Sequence, residues 1–301
     1  MLIGVVIVTY NRLQKLKKCL TSYEAQTHRP DRILVIDNAS TDGTKEFLDQ
    51  WVVGGDETGV KRMLLHCPEN RGGAGGFSEG TRLMADSEVD WIWLSDDDAY
   101  PMPQCLERIV SFYETLPETK ARETMTLCAK VVGPDGSVSP LHRRKIQYSR
   151  FFLKEIPLNE SSLAFPIEID LFSFVGVAIR KDIVRQAGLP DSSYFIYFDD
   201  SEYALRIRRF GKNWCIPEAV ILHDSLENVI VRYSWKNYYM FRNKLYTYKK
   251  NFPAKYYYGE IFRTIYMIMR YYNRFATWRQ FRQAVSDLKC AKMGINERYL
   301  P

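Results

Sequence analysis

Four apolar runs, residues 2–9, 32–37, 61–66 and 90–95, recur along the N-terminal part of the chain with amphipathic stretches between them. After the first run Leu13, Leu16, Leu20 and Tyr23 fall at helical spacing, and further helices are expected over about 41–51 and 75–84. Runs that are apolar on every residue must be covered on both faces, and strands that alternate with helices pair in parallel. The expected fold is therefore α/β, a mostly parallel central sheet flanked by helices. In such sheets a ligand lies beyond the carboxyl ends of the strands.

Polar or flexible groups stand at all four of those ends: Thr9-Tyr10-Asn11-Arg12, Asp37-Asn38-Ala39-Ser40, Asn70-Arg71-Gly72-Gly73-Ala74-Gly75-Gly76 and Asp96-Asp97-Asp98. Three adjacent carboxylates repel one another, and a divalent cation relieves them. Hard oxygen ligands select magnesium or manganese over zinc, and such ions keep positions open for a substrate phosphate. Asp37 has the acceptor that a base or ribose needs, Arg12 and Arg71 suit phosphates, and the glycines let backbone approach a bulky ligand. A nucleoside diphosphate fits this inventory. Taken singly, the acids also fit a solvated turn and the glycines a loose loop. The dinucleotide fingerprint would place its glycines after the first strand, where Thr-Tyr-Asn-Arg stands, and GxxxxGK[ST] is absent, so neither a dehydrogenase nor a P-loop ATPase is expected.

Farther along, Phe195-Ile196-Tyr197-Phe198 leads into Asp199, Asp200 and Glu202, the pattern of a loop entering a helix whose N-terminal dipole favours acids. His223 closes the apolar run 219–222. Between these halves a strand is expected over 125–132 and a turn at 133–136. The basic stretch 141–145 with Arg150 reads as a loop able to close over a diphosphate.

Val6-Ile7-Val8-Thr9-Tyr10-Asn11-Arg12, Val35 to Asp42, Glu69 to Phe77, Ser95-Asp96-Asp97-Asp98, Phe198 to Tyr203 and His223, taken in this order, resemble the inverting family 2 glycosyltransferases of the GT-A fold. Within that family the glycine stretch, the triple Asp and Asp-Asp-Ser-Glu-Tyr are similar to galactofuranosyltransferases and rhamnosyltransferase-like members. The resemblance implies transfer of galactofuranose or rhamnose from a nucleotide-diphosphate sugar to a growing cell-surface glycan carried on a lipid. UDP is favoured as the nucleotide, and dTDP-rhamnose is the second donor. It also implies the cofactor, Mn2+ or Mg2+. By the same resemblance Thr9, Arg12, Asp37 and Asn70 surround the nucleotide and Gly73 lies against the donor. Asp96 and Asp97 belong to the donor side, Asp96 and Asp98 with His223 form the metal site, and Asp200 is the general base, with Asp199 as its rival. Phe172, Phe174 and Gly176 would border the acceptor. A nucleotidyltransferase, a retaining transferase and a non-catalytic nucleotide-sugar-binding protein remain open as alternatives.

Charge divides the chain at about residue 224. Residues 225–301 hold 15 Lys and Arg against 4 Asp and Glu, while residues 1–224 hold 27 against 32. The expected organisation is a catalytic domain over 1–224 and a basic, aromatic-rich α-helical extension over 225–301. Basic and aromatic residues at helical spacing suit an anionic membrane surface, packing on the core, or another subunit, which leaves a homo-oligomer open. Nucleic acid is not expected, since no reader motif occurs. No apolar run approaches the roughly 20 residues of a bilayer span. Six scattered cysteines without paired spacing read as free thiols of a reducing compartment, and the start at a strand lacks a signal-peptide pattern. The expected location is the cytoplasm, at the inner face of the cell membrane.

Overall fold

Alternate residues of the N-terminal strands point to opposite sides of the sheet, and both sides are dry. In the computed structural model, which describes residues 1–54, 59–225, 234–271 and 274–300, Val6, Val8, Leu34, Ile36, Ile92 and Leu94 pack in one core layer. Val5, Ile7, Ile33, Val35, Trp91 and Trp93 pack in the other. The strands are β1 (Ile3–Thr9), β2 (Arg32–Asp37), β3 (Lys61–His66) and β4 (Trp91–Asp96), connected by α1 (Leu13–Glu24), α2 (Thr44–Val53) and α3 (Gly72–Ala85). All three pairings among them are parallel, as expected; β1, β2 and β4 are buried on both faces, while β3 at the sheet edge is half-buried. Their register sets Thr9 opposite Asp37, Asp37 opposite His66, and Val8 opposite Asp96, so one rim collects all of these residues.

The chain continues through β5 (Ala99–Pro101), α4 (Cys105–Glu114), α5 (Glu118–Glu123), β6 (Thr124–Val132), β7 (Arg143–Tyr148), β8 (Leu153–Pro157), β9 (Ile167–Ile169), β10 (Leu171–Phe172) and β11 (Val177–Arg180). Then follow α6 (Lys181–Ala187), α7 (Asp199–Ile207), β12 (Lys212–His223), α8 (Lys236–Asn251), α9 (Ala254–Tyr271) and α10 (Arg274–Lys289). Among the described residues the main sheet runs β3-β2-β1-β4-β11-β6-β12-β5, with β9 also on β12, and a second sheet runs β10-β7-β8. Antiparallel β11 joins β4 to β6 and so ties the two halves into one sheet. No described helix is long and apolar enough to cross a membrane.

Two helix starts differ from the sequence pattern. Helix α2 begins at Thr44 because Asp42 accepts from the Thr44 amide and hydroxyl and from the Leu13 amide, which holds the preceding residues as a loop. Helix α3 begins at Gly72, earlier than expected, although glycine disfavours helix. Packing overrides propensity here: a Cβ at Gly76 would stand 2.5 Å from Val8 Cγ1 and one at Gly80 2.3 Å from Val6 Cγ1. Gly76 of the glycine run, and Gly80 one turn on, therefore serve to lay α3 against the sheet rather than to admit a ligand.

The basic stretch expected as a loop is a hairpin, β7 and β8, and its first arginine is interior. Arg143 is 3% exposed, and its guanidinium donates to the carbonyls of Ala129, His142, Ser173, Val175 and Gly176. Five backbone acceptors converging on one guanidinium explain why a cation lies buried there, although the carbonyls of His142 and Gly176 also accept from the Ser173 and Ala129 amides. Arg143→Met removes the guanidinium from all five carbonyls and the loss costs about 1–3 kcal/mol for each one left without a donor, so stability should fall by roughly 3 kcal/mol. Urea unfolding followed by circular dichroism checks this; an unchanged midpoint would mean that the guanidinium holds nothing together.

Candidate active site

Two strand pairings assemble the acidic cluster. Parallel β1 and β4 carry Asp96 to the rim, and antiparallel β5 and β12 set His223 opposite Ala99, one residue beyond Asp98. The ligand atoms of Asp96, Asp98 and His223 then lie within 4.8 Å of one another. His223 Nε2 stands 3.3 Å from Asp98 Oδ1. Arg12 Nη1 donates to Asp97 Oδ1 at 3.1 Å and to Asp98 Oδ2 at 2.8 Å, and Thr9 Oγ1 donates to Asp97 Oδ2 at 2.7 Å. Lys15 Nζ lies 3.5 Å from Asp98 Oδ2.

Part of the neutralisation expected from a metal thus comes from the protein. Burial raises the Asp98 carboxyl, but the hydrogen bond with His223 and the charges of Arg12 and Lys15 outweigh it and hold the group below the ordinary value. Burial pushes Asp97 up to about 6 despite Arg12 and Thr9. Asp96 is also pushed up, by burial first and then by the negative charge of Asp98. Negative charge is costly on Asp96, at the point where Asp98 and His223 converge. Two carboxylates and an imidazole are a donor set that suits Mn2+ or Mg2+.

Thr9 and Arg12, expected beside the nucleotide, are engaged with Asp97 and Asp98 in this arrangement. Asp37 is 1% exposed; its Oδ1 accepts from the Ser40 amide at 3.0 Å, and its Oδ2 lies 2.8 Å from His66 Nδ1. His66 Nε2 in turn meets Asp49 at 3.0 Å. Asn70 Oδ1 accepts from the Gly72 amide at 2.8 Å. Gly73, in the first turn of α3, has nothing within 4 Å of where a Cβ would stand.

Gly72 couples this rim to the second acidic segment. Its φ is +70°, and a Cβ there would stand 2.0 Å from the Phe195 carbonyl oxygen. Only glycine admits that approach. The Gly72 carbonyl accepts from Asn38 Nδ2 at 2.9 Å, and the Ala74 amide donates to the Phe195 carbonyl at 3.2 Å. Phe195, Tyr197 and Phe198 have φ of 66°, 66° and 68°, which for non-glycine residues costs on the order of 1–3 kcal/mol each.

Helix α8 offsets that strain. Asn243, fully buried, places its amide nitrogen 2.9, 2.7 and 3.0 Å from the carbonyls of Tyr194, Ile196 and Tyr197. Arg242 Nη2 adds a bond to the Tyr194 carbonyl at 3.2 Å. The basic C-terminal region is thereby joined to the loop that delivers Asp199 and Asp200 to the start of α7. Glu202, also fully buried, pairs with Arg206 at 2.8 Å and Lys250 at 3.0 Å, a structural role.

The two neighbouring acids have different surroundings. Burial raises Asp199, and the charges of Asp200 and Asp96 add to the effect. Burial also raises Asp200, with Arg144 working against it. Asp200 Oδ1 accepts from the Ser201 hydroxyl at 3.0 Å, and Arg144 Nη2 donates to that hydroxyl at 2.9 Å. The sequence alone did not single out Lys15, His66 or Asn243, and it placed Arg144 in a basic stretch expected to close over a diphosphate rather than beside Asp200. Lys15 had a local signal, three residues after Arg12 in the first turn of α1. His142 was also missed: its ring stands edge-on to that of His223 at 4.9 Å, with Nδ1 2.6 Å from Ser173 Oγ.

Residues 4–152 match the family model described as glycosyl transferase family 2. The chain is 29% identical over 208 residues to galactofuranosyltransferase GlfT1 of Mycolicibacterium smegmatis, a match that covers 68% of this chain and 65% of that protein. It is 26% identical over 247 residues to the N-acetylglucosaminyl-diphospho-decaprenol L-rhamnosyltransferase of Mycobacterium tuberculosis, covering 73% and 75%. Among solved structures it resembles GalNAc-T7 with UDP, GalNAc and Mn2+, at a TM-score of 0.60 and 16% identity over 91% of this chain and 58% of that one. The sheet order with its flanking helices is thus of the GT-A type.

Asn243→Ala removes the donor that satisfies three carbonyls of the strained loop. Amides of residues 195–201 should then exchange with deuterium on the order of 10-fold faster, while those of β1 and β4 keep their protection. Exchange mass spectrometry reads this directly, and uniform protection across both regions would show that the loop holds its shape unaided.

Proposed function

The chain belongs to glycosyltransferase family 2 through residues 4–152, and from that premise we propose that it is a metal-dependent inverting glycosyltransferase. The donor is a nucleotide-diphosphate sugar, UDP-galactofuranose first and dTDP-rhamnose second. The acceptor is a growing cell-surface glycan on a lipid carrier, met at the inner face of the membrane. Support comes from the two mycobacterial relatives, one a galactofuranosyltransferase and the other a rhamnosyltransferase of a lipid diphosphate. The observation that carries the reading is the convergence of Asp96, Asp98 and His223 at one rim of the sheet.

Asp96, Asp98 and His223 would hold Mn2+ or Mg2+, which, when bound, stabilises the negative charge developing on the departing diphosphate. Thr9 and Arg12 orient Asp97, and the half-exposed Arg12 side chain also faces outward toward phosphate. Asp37, held by His66 and Ser40, together with Asn70 and the open Gly73, lines the nucleotide. Asp200 takes the proton from the acceptor hydroxyl as it attacks the anomeric carbon opposite the leaving group. Its Oδ1 is occupied by Ser201, and Oδ2 would receive the proton. Asp199 is the second reading for the base, buried beside Asp200 and raised in part by the negative charge of Asp96.

Nucleotide diphosphate release from a donor panel, with manganese or with chelator, tests the class. Release from one donor, abolished by chelator and by Asp98→Ala, is the expected result. Pyrophosphate release would favour nucleotidyl transfer, and donor binding without turnover a binding protein. A product with retained anomeric configuration would replace inversion by retention.

Asp200→Asn should lower turnover by ~100- to 10,000-fold with donor affinity by calorimetry nearly unchanged. If Asp199→Asn shows that pattern instead, the base is Asp199. The pH profile adds a sign: the base works only deprotonated, and burial raises Asp200, so activity should fall as pH drops through a value above the ordinary carboxylate range. His223→Ala should weaken the metal dependence, and an unchanged manganese titration would remove His223 from the site.

A further inference from the structure

Helix α9 turns a stripe of large apolar side chains to solvent. Tyr258, Phe262, Tyr266 and Met269 recur at helical spacing on its outer face and are 55–67% exposed. Lys255 and Arg270, both exposed, stand at the two ends of that stripe. The opposite face, with Tyr256 and Ile268 buried, is already used in packing. A continuous exposed apolar strip of this kind on a soluble surface marks a contact site.

A segment distant in sequence joins the same surface. The tip of the β7–β8 hairpin presents exposed Phe151 and Phe152, with the Arg150 guanidinium 5.3 Å from the Phe151 ring centroid. The tip lies against α9 where Gly259 leaves room: a Cβ there would stand 2.0 Å from the Phe151 carbonyl oxygen. Helix and hairpin thus form one aromatic surface edged by cations.

Charge identifies what it meets. The two acids of α9 and α10, Glu260 and Asp287, are each 5% exposed and bonded inward, to Lys244 and Arg263 and to Tyr238 and Gln283. The charge that the described side chains of these helices expose is therefore cationic, with Arg279, Arg282 and Lys289 adding to Lys255 and Arg270. A second copy of this face would bring like charges together, which disfavours self-association through it. Rings that seat at headgroup level beside cations that meet lipid phosphates are the chemistry of an interfacial helix.

We propose that the outer face of α9 and the tip of the β7–β8 hairpin lie on an anionic lipid bilayer. This deepens the reading of a lipid-linked acceptor by naming the surface that reaches the lipid, and it rests on that reading for its purpose but not for its test. The hairpin whose tip touches the bilayer carries Arg144 and Glu155 nearer its base, and Arg144 bonds Ser201 beside Asp200. The surface is therefore continuous with the loop that holds the proposed base.

Flotation of the full chain with vesicles of phosphatidylcholine, alone or with phosphatidylglycerol, tests the proposal without turnover, so its failure and a failure of the transferase reading are separate results. Binding to the anionic vesicles, weakened by salt, is expected. Each cation removed near such a surface is worth about fivefold, so Lys255→Ala with Arg150→Ala should weaken binding roughly 25-fold. Phe262→Glu with Tyr266→Glu should weaken it by at least about tenfold, at solvent-facing positions where melting temperature is unaffected. Absence of flotation at low salt, or equal flotation of the variants, would overturn the proposal. So would self-association in sedimentation velocity that the Phe262 and Tyr266 changes abolish, because that would make the stripe a contact between copies.

Discussion

Asp96, Asp97 and Asp98 follow a strand whose other residues are entirely buried, so their mutual repulsion cannot be dispersed into water. The surrounding elements are placed by that demand. Arg12 at the cap of helix α1 and Lys15 in its first turn face the carboxylates, and β1 ends in the Thr9 hydroxyl. The short antiparallel pairing of β5 with β12 delivers His223 from the far end of the catalytic region. Asp98 is thereby balanced from within and Asp97 in part, and Asp96 keeps the burden that a divalent cation would relieve.

The second acidic segment follows a different logic. Asp199 and Asp200 open a helix, where acids suit the dipole, but the approach to that helix passes through three left-handed residues. Such backbone persists only where neighbours over-determine it. Gly72 closes against Phe195 on one side, and Asn243 and Arg242 hold the carbonyls on the other. The start of α3 and the C-terminal helices are thus mechanically joined through the Phe195 segment, between the rim of the sheet and the acids. Apolar packing reinforces the joint, since Phe195 lies in one cluster with Tyr238, Tyr239 and Phe281.

Much of this was legible from short-range pattern. Buried strands announce themselves as unbroken apolar runs, and the ends of β1, β2 and β4 fell where the runs stopped. Asp96 and Asp98 stood out as carboxylates at and just beyond the end of such a run, whereas His223 was joined to them only through the family resemblance. The glycines were misread in part because a glycine-rich segment looks the same whether it faces a ligand or a sheet; Val8 decides that Gly76 faces the sheet. Arg143 was misread because a basic residue in a loop-like stretch carries no mark of the carbonyls that will surround it.

The amino-acid sequence by itself determined the alternation of strand and helix, the sheet rim on which a ligand would lie, and the chemical kind of every proposed site residue, because periodicity and residue type are local properties. Tertiary structure alone decided which groups share a charge. The pairing of β5 with β12 brings His223 to Asp98 across more than a hundred residues of chain. The packing of α8 brings Asn243 to the Tyr194–Tyr197 carbonyls. Both depend on strand register and helix docking, which arise from burial of the whole core and leave no trace in the residues on either side of the contact.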